Sequence, residues 1–227
     1  KGGFHFPEPV ADSPVRFMPT SREHMLDHHL RARGITDPRV LEAFAQVDRR
    51  RFVDPADRER AFEDQPLPIA CGQTISQPYI VAYMAQALAP EEGETVLEIG
   101  AGSGYGAAIL AHLAAEVHAV EIHAELVRVA RHNLAAAGIA NVAVHEGDGH
   151  RGWPEAAPFD AIILTAAPPE VPEALGEQLR EGGRLLAPVG AGTQELRLYR
   201  KHGDHLREEA SLLPVRFVPL TGGTRQT

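Results

Sequence analysis

A glycine-rich turn that follows a short apolar run constrains the fold of this chain more than any other stretch. Residues 95–106 read TVLEIGAGSGYG, and the apolar side chains of Val96, Leu97 and Ile99 predict a buried strand. The alanine-rich residues from 107 onward predict a helix. Glycines permit a tight turn and a close approach of the backbone to a ligand, and a helix N-terminus offers free N–H groups. The stretch therefore predicts a nucleotide-binding corner.

The spacing of the glycines narrows the ligand class. A dinucleotide-binding turn reads G-x-G-x-x-G. Counted from Gly100 the third glycine is missing, and counted from Gly102 it is replaced by Ala107, a tolerated variant, so NAD stays open on the glycines alone. Residues 98–104 match E-x-G-x-G-x-G more completely. That pattern resembles the first motif of the S-adenosylmethionine-dependent methyltransferases.

Two acidic residues follow the next two predicted strands. Glu121 ends the strand predicted over 117–121 and lies 21 residues after Gly100, where an acid is placed to accept hydrogen bonds from ribose hydroxyls. Asp148 is followed by Gly149 just beyond a third strand, which suits a loop that contacts the edge of an adenine base. The structural alternatives are a helix-capping acid for Glu121 and a plain turn at Asp148.

The order of predicted elements indicates an α/β fold. Helical stretches separate most of the predicted strands, which cover 95–99, 117–121, 142–145, 160–165, 184–189, 195–201 and 206–218. This alternation predicts a doubly wound, mostly parallel sheet with helices on both faces. Such sheets bind ligands at the carboxyl ends of their strands, where Gly100, Glu121, Asp148 and the loop over 165–168 all lie.

The N-terminal quarter is predicted to be helical behind an irregular arm. Four prolines and no regular period over residues 1–19 predict an extended or disordered arm. A capping box from Thr20 predicts a helix over 21–33, and Asp37 is predicted to cap a second helix. The basic run at 49–51 favours a solvated turn over the attraction of a carboxylate substrate.

Residues 64–79, DQPLPIACGQTISQPY, form a long predicted loop that is rich in proline, glycine and small polar residues. Loops of this length are often functional. Ser76 and Gln77 are placed to cap a helix that begins at Pro78, so capping is the structural alternative to a functional role for Ser76.

Composition excludes several classes of partner. The formal net charge is −9, which argues against nucleic acid. No apolar run approaches the roughly 18 residues of a membrane span, and we expect no targeting segment. The single cysteine, Cys71, excludes an internal disulfide and suits a reducing cytoplasm. We expect a cytoplasmic monomer without a metal site.

The chain from 62 to 221 closely resembles the protein-L-isoaspartate O-methyltransferase family. The matching segments occur in the family's order and spacing, and they are GQTISQP (72–78), VLEIGAGSGYGAAILA (96–111), GDGHRGWPEAAPFDAI (147–162), LGEQLREGGRLLAPVG (175–190) and VRFVPLTG (215–222). The glycine motif is common to many methyltransferases, whereas the first and third segments are far more specific.

The resemblance implies a Rossmann-like, seven-stranded methyltransferase sheet and one methyltransferase domain over 20–227. Within it, 20–78 supply N-terminal helices and the substrate loop, and 79–227 supply the cofactor-binding core and C-terminal strands. The implied reaction transfers a methyl group from S-adenosylmethionine to the free α-carboxylate of an L-isoaspartyl residue in a damaged protein or peptide. The ester then closes to a succinimide, whose hydrolysis returns part of the material to normal aspartate.

The resemblance also implies which residues form the site. Ser76 corresponds to the serine at the reaction centre. The implied cofactor contacts are Gln73, Thr74, Ile75, Ser76, Gly100, Gly102, Ser103, Gly104, Glu121, Asp148, Gly149, Thr221 and Gln226.

The chemistry of a carboxylate acceptor suggests what Ser76 does. An α-carboxyl has a reference pKa of about 3.3–3.7, so it is ionised at neutral pH and needs no base. The methyl group is already activated by the cofactor, and alignment can contribute roughly 7–11 kcal/mol. We therefore assign Ser76 to positioning, since no G-x-S-x-G elbow surrounds it.

Three other functions stay open at this point. One is an enzyme of the same family that acts on an aspartate of one dedicated peptide and forms an aspartimide. A methyltransferase fold can also bind cofactor without turnover, although Ser76, Glu121 and Asp148 argue against this. An NAD-dependent oxidoreductase is disfavoured because no separate substrate domain is evident.

Overall fold

The computed structural model describes residues 20–223, so the arm predicted over 1–19 and the predicted contact Gln226 lie outside the described residues. The strands are β1 (Leu67–Pro68), β2 (Thr74–Ile75), β3 (Thr95–Ile99), β4 (Glu116–Glu121), β5 (Val142–Glu146), β6 (Phe159–Leu164), β7 (Leu179–Val189), β8 (Gln194–His202) and β9 (His205–Val215). Strands β1 and β2 form a small antiparallel pair. The other seven form one sheet in the order β5-β4-β3-β6-β7-β8-β9. Strands β3 to β7 pair in parallel, and β8 and β9 are added by antiparallel pairing, which confirms the doubly wound, mostly parallel prediction.

The helices are α1 (Arg22–His24), α2 (Pro38–Gln46), α3 (Pro78–Leu88), α4 (Tyr105–Leu110), α5 (Ala124–Ala136) and α6 (Glu173–Glu177). The regular helix predicted over 21–33 is wrong in detail, because α1 continues as a π-helical segment over Met25–Leu30. Its cap is Ser21 rather than Thr20, since the Ser21 side chain accepts from the backbone N–H of His24. The cap predicted at Asp37 is confirmed.

Helices cover both faces of the large sheet, so its central strands are apolar on both sides. Val96 of β3 packs into the core that includes α3, α4 and α5, and its neighbour Leu97 packs into the core on the α6 side. Side chains alternate between the two faces of a strand, and Glu98 therefore shares the face of Val96. A carboxyl group is thus placed inside an apolar layer.

The sheet has a topological switch between β3 and β6, the place where doubly wound folds bind ligands. From β3 the chain crosses to β4 and β5 on one side, then returns to β6 on the other. Gly100 follows β3 and Thr165 follows β6. The Thr165 hydroxyl donates to the carbonyl oxygen of Gly100 at 2.6 Å, which fixes the distance between the two strand ends.

The basic run forms a single 3-10 turn, Arg49–Arg51, in which the three arginines differ. Arg50 pairs with Asp48 at 2.6 Å and Arg51 donates to the carbonyl oxygen of Ala136 at 2.8 Å, and both side chains are exposed. For these two the predicted solvated turn is confirmed. For Arg49 it is wrong, because that residue is 0% exposed.

Within residues 20–223, no helix combines the length and the apolar character needed to cross a bilayer.

Candidate active site

Three adjoining cavities lie at the carboxyl ends of the central strands. The inner pocket has a volume of about 60 Å³ and its walls include Ser76, Met84, Glu98, Ser103, Tyr105 and Gly106. The rim pocket has a volume of about 70 Å³ and its walls include Gln73, Glu121, Ile122, Gly149, Leu220 and Thr221. The outer groove measures about 770 Å³ and its walls include Pro66, Gln77, Ile80, Pro214, Arg216 and Phe217.

The three cavities meet at a few shared side chains. Thr74 and Thr165 line all three, and Ser76 lines both the inner pocket and the outer groove. A molecule that spans the inner and rim pockets would therefore meet a second molecule in the outer groove beside Ser76. This is the geometry that a two-substrate transfer reaction requires.

The glycines of the turn let neighbouring parts of the site pack closely together. Gly100 has a φ of +98°, and a side chain there would collide with the Thr165 hydroxyl. Gly106 faces Glu98 so closely that a side chain would collide with its carboxyl group. Gly104 serves packing instead, since an added Cβ would lie 3.3 Å from Ala130 of α5.

Glu98 is the most perturbed acid of the site. The residue is 1% exposed, and burial, reinforced by the charge of Glu121, raises the pKa of its carboxyl group to about 8. Its Oε2 atom is buried and has no hydrogen-bond partner in the described part of the chain. The Ser103 hydroxyl and the Tyr105 hydroxyl are buried and unpartnered in the same way. Orphaned polar atoms on two residues of one pocket, Glu98 and Ser103, are a feature that a polar ligand would satisfy.

Glu121 joins the glycine turn to the rim pocket. One carboxylate oxygen accepts from the backbone N–H of Gly102 at 2.9 Å, and the other accepts from that of His123 at 3.0 Å. Because a carboxylate oxygen has two lone pairs, each can accept a further hydrogen bond. Glu121 can therefore hold the turn and still contact ligand hydroxyls.

Ser76 is not a helix cap, which corrects one structural alternative. Helix α3 begins at Pro78 as predicted, but Gln77 is its N-cap and makes no side-chain capping bond. The cap comes from Asp64, whose carboxylate accepts from the backbone N–H of Tyr79 at 2.9 Å. Across residues 20–223 the structure gives the Ser76 hydroxyl no hydrogen-bond partner, so it is available to a ligand.

Asp148 lies beside the rim pocket and does not line it. One carboxylate oxygen accepts from the backbone N–H of His150 at 3.0 Å, and the other accepts from that of Gly223 at 2.7 Å. Burial alone would raise the pKa of Asp148, but these N–H groups and the His150 ring outweigh it and lower the pKa. The carboxylate thus fastens the C-terminal segment that carries Thr221 against the rim pocket.

We expect the substitution Asp148→Ala to raise the cofactor Kd about tenfold, since it removes the hydrogen bond that holds Gly223. The value of kcat at saturating cofactor is expected to stay within about twofold, because Asp148 does not reach Ser76. Isothermal calorimetry measures the affinity. Asp204→Ala, in the exposed hairpin turn, is the matched control. An unchanged Kd in Asp148→Ala would contradict this role.

The structure brings most of the predicted site together. The predicted residues that line the inner or rim pocket are Gln73, Thr74, Ile75, Ser76, Gly100, Gly102, Ser103, Glu121, Gly149 and Thr221. Gly104 and Asp148 line neither pocket: Gly104 packs against α5, and Asp148 holds the C-terminal segment. The loop that begins at Thr165 was expected at the ligand-binding edge, and Thr165 lines the pockets. Sequence reasoning missed Tyr105 and Ile122 as lining residues. Ile122 follows Glu121 directly and is 38% exposed at the rim pocket, and an apolar residue after the strand-end acid was the available indication.

In the region that the structure describes, no group of three His, Cys, Asp or Glu residues could hold a metal ion.

Comparison with protein families gives one match across the described chain. The family model described as Protein-L-isoaspartate(D-aspartate) O-methyltransferase matches residues 20–225. Protein-L-isoaspartate O-methyltransferase 2 of Pelobacter propionicus is 53% identical over 203 residues, which cover 88% of this chain and 90% of the relative. Protein-L-isoaspartate O-methyltransferase of Anaeromyxobacter dehalogenans is 54% identical over 191 residues, which cover 83% of this chain and 91% of the relative.

A solved structure supports the same grouping. A Plasmodium falciparum protein, assigned to the protein-L-isoaspartate O-methyltransferases and crystallised with S-adenosyl-L-homocysteine, superimposes with a TM-score of 0.78 at 27% identity. The match covers 88% of this chain and 98% of that one. The resemblance stated from the sequence is confirmed, and this chain belongs to the protein-L-isoaspartate(D-aspartate) O-methyltransferase family.

Proposed function

We propose that this protein transfers a methyl group from S-adenosylmethionine to the free α-carboxylate of L-isoaspartyl residues in damaged proteins and peptides, as a repair enzyme. The observation that carries the proposal is the position of Ser76. Ser76 lines both the inner pocket and the outer groove, and its hydroxyl has no hydrogen-bond partner among the described residues. A cofactor on one side and a peptide carboxylate on the other would meet at this residue.

The inner pocket suits the amino-acid end of S-adenosylmethionine. That end carries an ammonium group, which can donate a hydrogen bond to the unpartnered Oε2 of Glu98, and a carboxylate, to which the hydroxyl of Ser103 can donate. When bound, the cofactor supplies a methyl group on a sulfonium, which is already activated for displacement. The pocket thus has a polar group for each charge of the ligand.

The rim pocket suits the nucleoside end. Glu121 keeps lone pairs free for ribose hydroxyls after it has accepted its two backbone N–H groups. Ile122 and Leu220 supply apolar walls for a flat base, and Thr221 closes the same side. Gln73 and Thr74 approach from the loop that precedes α3.

Ser76 is proposed to position the acceptor and not to attack it. Since the acceptor carboxylate is ionised at neutral pH, no base has to take a proton from it. A hydroxyl that donates to one carboxylate oxygen holds the other in line with the methyl group. The small size of the inner pocket keeps that approach narrow.

Arg216 is proposed to bring anionic peptides into the outer groove. Its side chain is exposed, it lines the groove together with Ser76, and it forms no salt bridge with any residue in the described chain. A free guanidinium at the mouth of a groove attracts carboxylates and holds them by paired hydrogen bonds.

We expect Arg216→Ala to raise the KM for an isoaspartyl peptide about fivefold and to leave kcat within about twofold, because exposed ion pairs contribute up to about 1 kcal/mol. Arg216→Lys is expected to recover part of the loss. Arg207→Ala is the control, since Arg207 is an exposed arginine of β9 that does not line the groove. A fall in kcat at unchanged KM would contradict the guiding role.

The activity is tested with labelled S-adenosylmethionine and two matched peptides, one with L-isoaspartate and one with L-aspartate at the same position. Transfer to the isoaspartyl peptide alone is the expected result. Transfer to neither, with cofactor binding intact by calorimetry, would contradict the repair function and favour one dedicated peptide partner.

We further propose that residues 20–227 act as one domain and that the protein is a monomer in the cytoplasm, without nucleic acid among its partners. Cys71 supports the reducing compartment, since its free thiol is exposed. The net charge of −9 opposes binding to nucleic acid. Light scattering on a sizing column tests the oligomeric state.

A further inference from the structure

Arg49 is a buried cation that the proposed reaction does not use directly. It begins the 3-10 turn after α2, and its side chain is 0% exposed. Nη1 donates to the carbonyl oxygen of Ala61 at 2.6 Å, and Nη2 donates to that of Ser76 at 2.8 Å. A longer contact of 3.5 Å reaches the carbonyl oxygen of Gln65. One side chain thus joins three separate segments of the chain.

The burial of this charge is costly and is only partly compensated. No carboxylate among residues 20–223 bonds to the guanidinium, and its Nε has no partner there. Desolvation accordingly lowers the pKa of Arg49. Its other neighbour is the ring of Tyr105, 5.6 Å away, which lines the inner pocket. Buried charges held by neutral groups weaken a fold more often than they stabilise it, so stability alone does not account for this residue.

Ser76 lies outside both the strand before it and the helix after it. It lies between β2, a strand of two residues, and Pro78, which has no backbone N–H to donate. Strand β2 pairs with β1 through residues 74 and 75 and stops before Ser76. The hydrogen bond from Arg49 is the one that the described chain gives to the Ser76 carbonyl oxygen. The next residue, Gln77, is held separately, because its carbonyl oxygen accepts from the backbone N–H of Ile80 at 3.1 Å and its side chain donates to Asp64 at 3.1 Å.

We propose that Arg49 is a positioning residue for methyl transfer: by holding the carbonyl oxygen of Ser76, it fixes the direction of the Ser76 hydroxyl toward the junction of the inner pocket and the outer groove. The inference rests on the proposed function of Ser76. Arg49 lines neither pocket nor groove, so it acts through Ser76 and not on the substrate.

Arg49→Lys tests the proposal, because lysine keeps the charge but lacks the planar fork that reaches Ala61 and Ser76 together. The expected result is a fall of about tenfold in kcat for the isoaspartyl peptide, with the peptide KM and the cofactor Kd within about twofold. Arg50→Lys is the matched control, since Arg50 is its exposed neighbour and pairs with Asp48. If the lysine variant does not fold, Arg49→Gln replaces it in the same assay, because glutamine removes the charge and keeps an N–H donor.

A double-mutant cycle separates positioning from general support of the fold. If Arg49 acts through Ser76, then adding Arg49→Lys to Ser76→Ala lowers kcat no further than Ser76→Ala alone. Free guanidinium ion, below denaturing concentrations, is expected to restore part of the kcat of Arg49→Ala and none of that of Ser76→Ala. If Arg49 only stabilised the fold, neither of these two results would be obtained.

Two results would overturn the inference while the proposed function stands. One is an additive cycle, in which Arg49→Lys costs the same factor with and without the Ser76 hydroxyl. The other is an effect confined to KM or to the melting temperature. If the wild-type protein methylates no isoaspartyl peptide, the proposed function itself fails, which the same assay distinguishes.

Discussion

Ser76→Ala is expected to lower kcat for an isoaspartyl peptide by about 10²- to 10³-fold, the usual cost of removing a preorganised donor at a reaction centre. The cofactor Kd is expected to stay within about twofold. The reason is geometric: Ser76 lines two adjoining cavities, and the capping of α3 is supplied by Asp64. Losing the hydroxyl therefore removes an alignment contact and leaves the helix cap intact.

The measurement is single-turnover methyl transfer from labelled cofactor, with calorimetry for the binding step. Ser211→Ala is the matched control, because Ser211 is an exposed serine of β9 whose hydroxyl bonds to Glu195. Ser76→Thr keeps a hydroxyl and is expected to retain intermediate activity. Turnover near the wild-type value in Ser76→Ala would rule out the positioning role.

The sheet and the nucleotide corner are predictable because both depend on local patterns. The alternation of apolar runs sets the strands, and the positive φ of Gly100 follows from a turn that has to leave room for Thr165. Glu121 is predictable for a similar reason, since the acid comes at the very end of β4. Each of these features needs only a short window of sequence.

The contacts that hold the site in place join residues farther apart along the chain, and they could not be predicted from the sequence. The cap of α3 comes from Asp64, 15 residues before Tyr79, and Asp148 binds Gly223, 75 residues later. A basic run at a predicted turn gives no indication that Arg49 is buried while Arg50 is exposed. In each case the partner is a backbone group, and every residue carries one, so side-chain identity alone does not reveal it.

Glu98 matches a sequence motif that does not predict the environment of its carboxyl group. The sequence includes it as the first residue of E-x-G-x-G-x-G, yet the pattern does not tell that the carboxyl is buried beside Gly106. Its pKa of about 8, against an ordinary 4.5, means that it is mostly protonated at pH 7 in the free protein. A cationic ligand would reverse that preference, because it stabilises the ionised form.

The sign of the effect on stability follows from the same shift. A folded pKa above the unfolded value favours the protonated native state, so this stability is fully present below about pH 4.5 and is lost as the pH rises through about 8. Glu98→Gln is neutral at every pH. The ligand-free variant is therefore expected to lose less stability than the wild-type protein between these two values, which urea unfolding at a series of pH values measures.

Cofactor binding supplies the stronger test of Glu98. Because the ammonium group of S-adenosylmethionine favours the ionised carboxylate, binding at pH 6–7 is expected to release up to one proton and to tighten as the pH rises toward 8. Calorimetry in buffers of different ionisation enthalpy counts the proton. Glu98→Gln is expected to abolish the release and to weaken binding by about 10- to 100-fold, the loss of one charge-assisted hydrogen bond.

Comparing proton release by the wild-type protein and by Glu98→Gln controls for the titration of the ligand. The amino group of the ligand titrates equally in both experiments, so its contribution cancels from the difference in proton release. Glu91→Gln, an exposed acid on the loop before β3, controls for a change in net charge. If wild-type protein and Glu98→Gln release the same number of protons, then Glu98 does not change its protonation state when the cofactor binds. Equal proton release together with equal affinity would place the ammonium group elsewhere than beside Glu98.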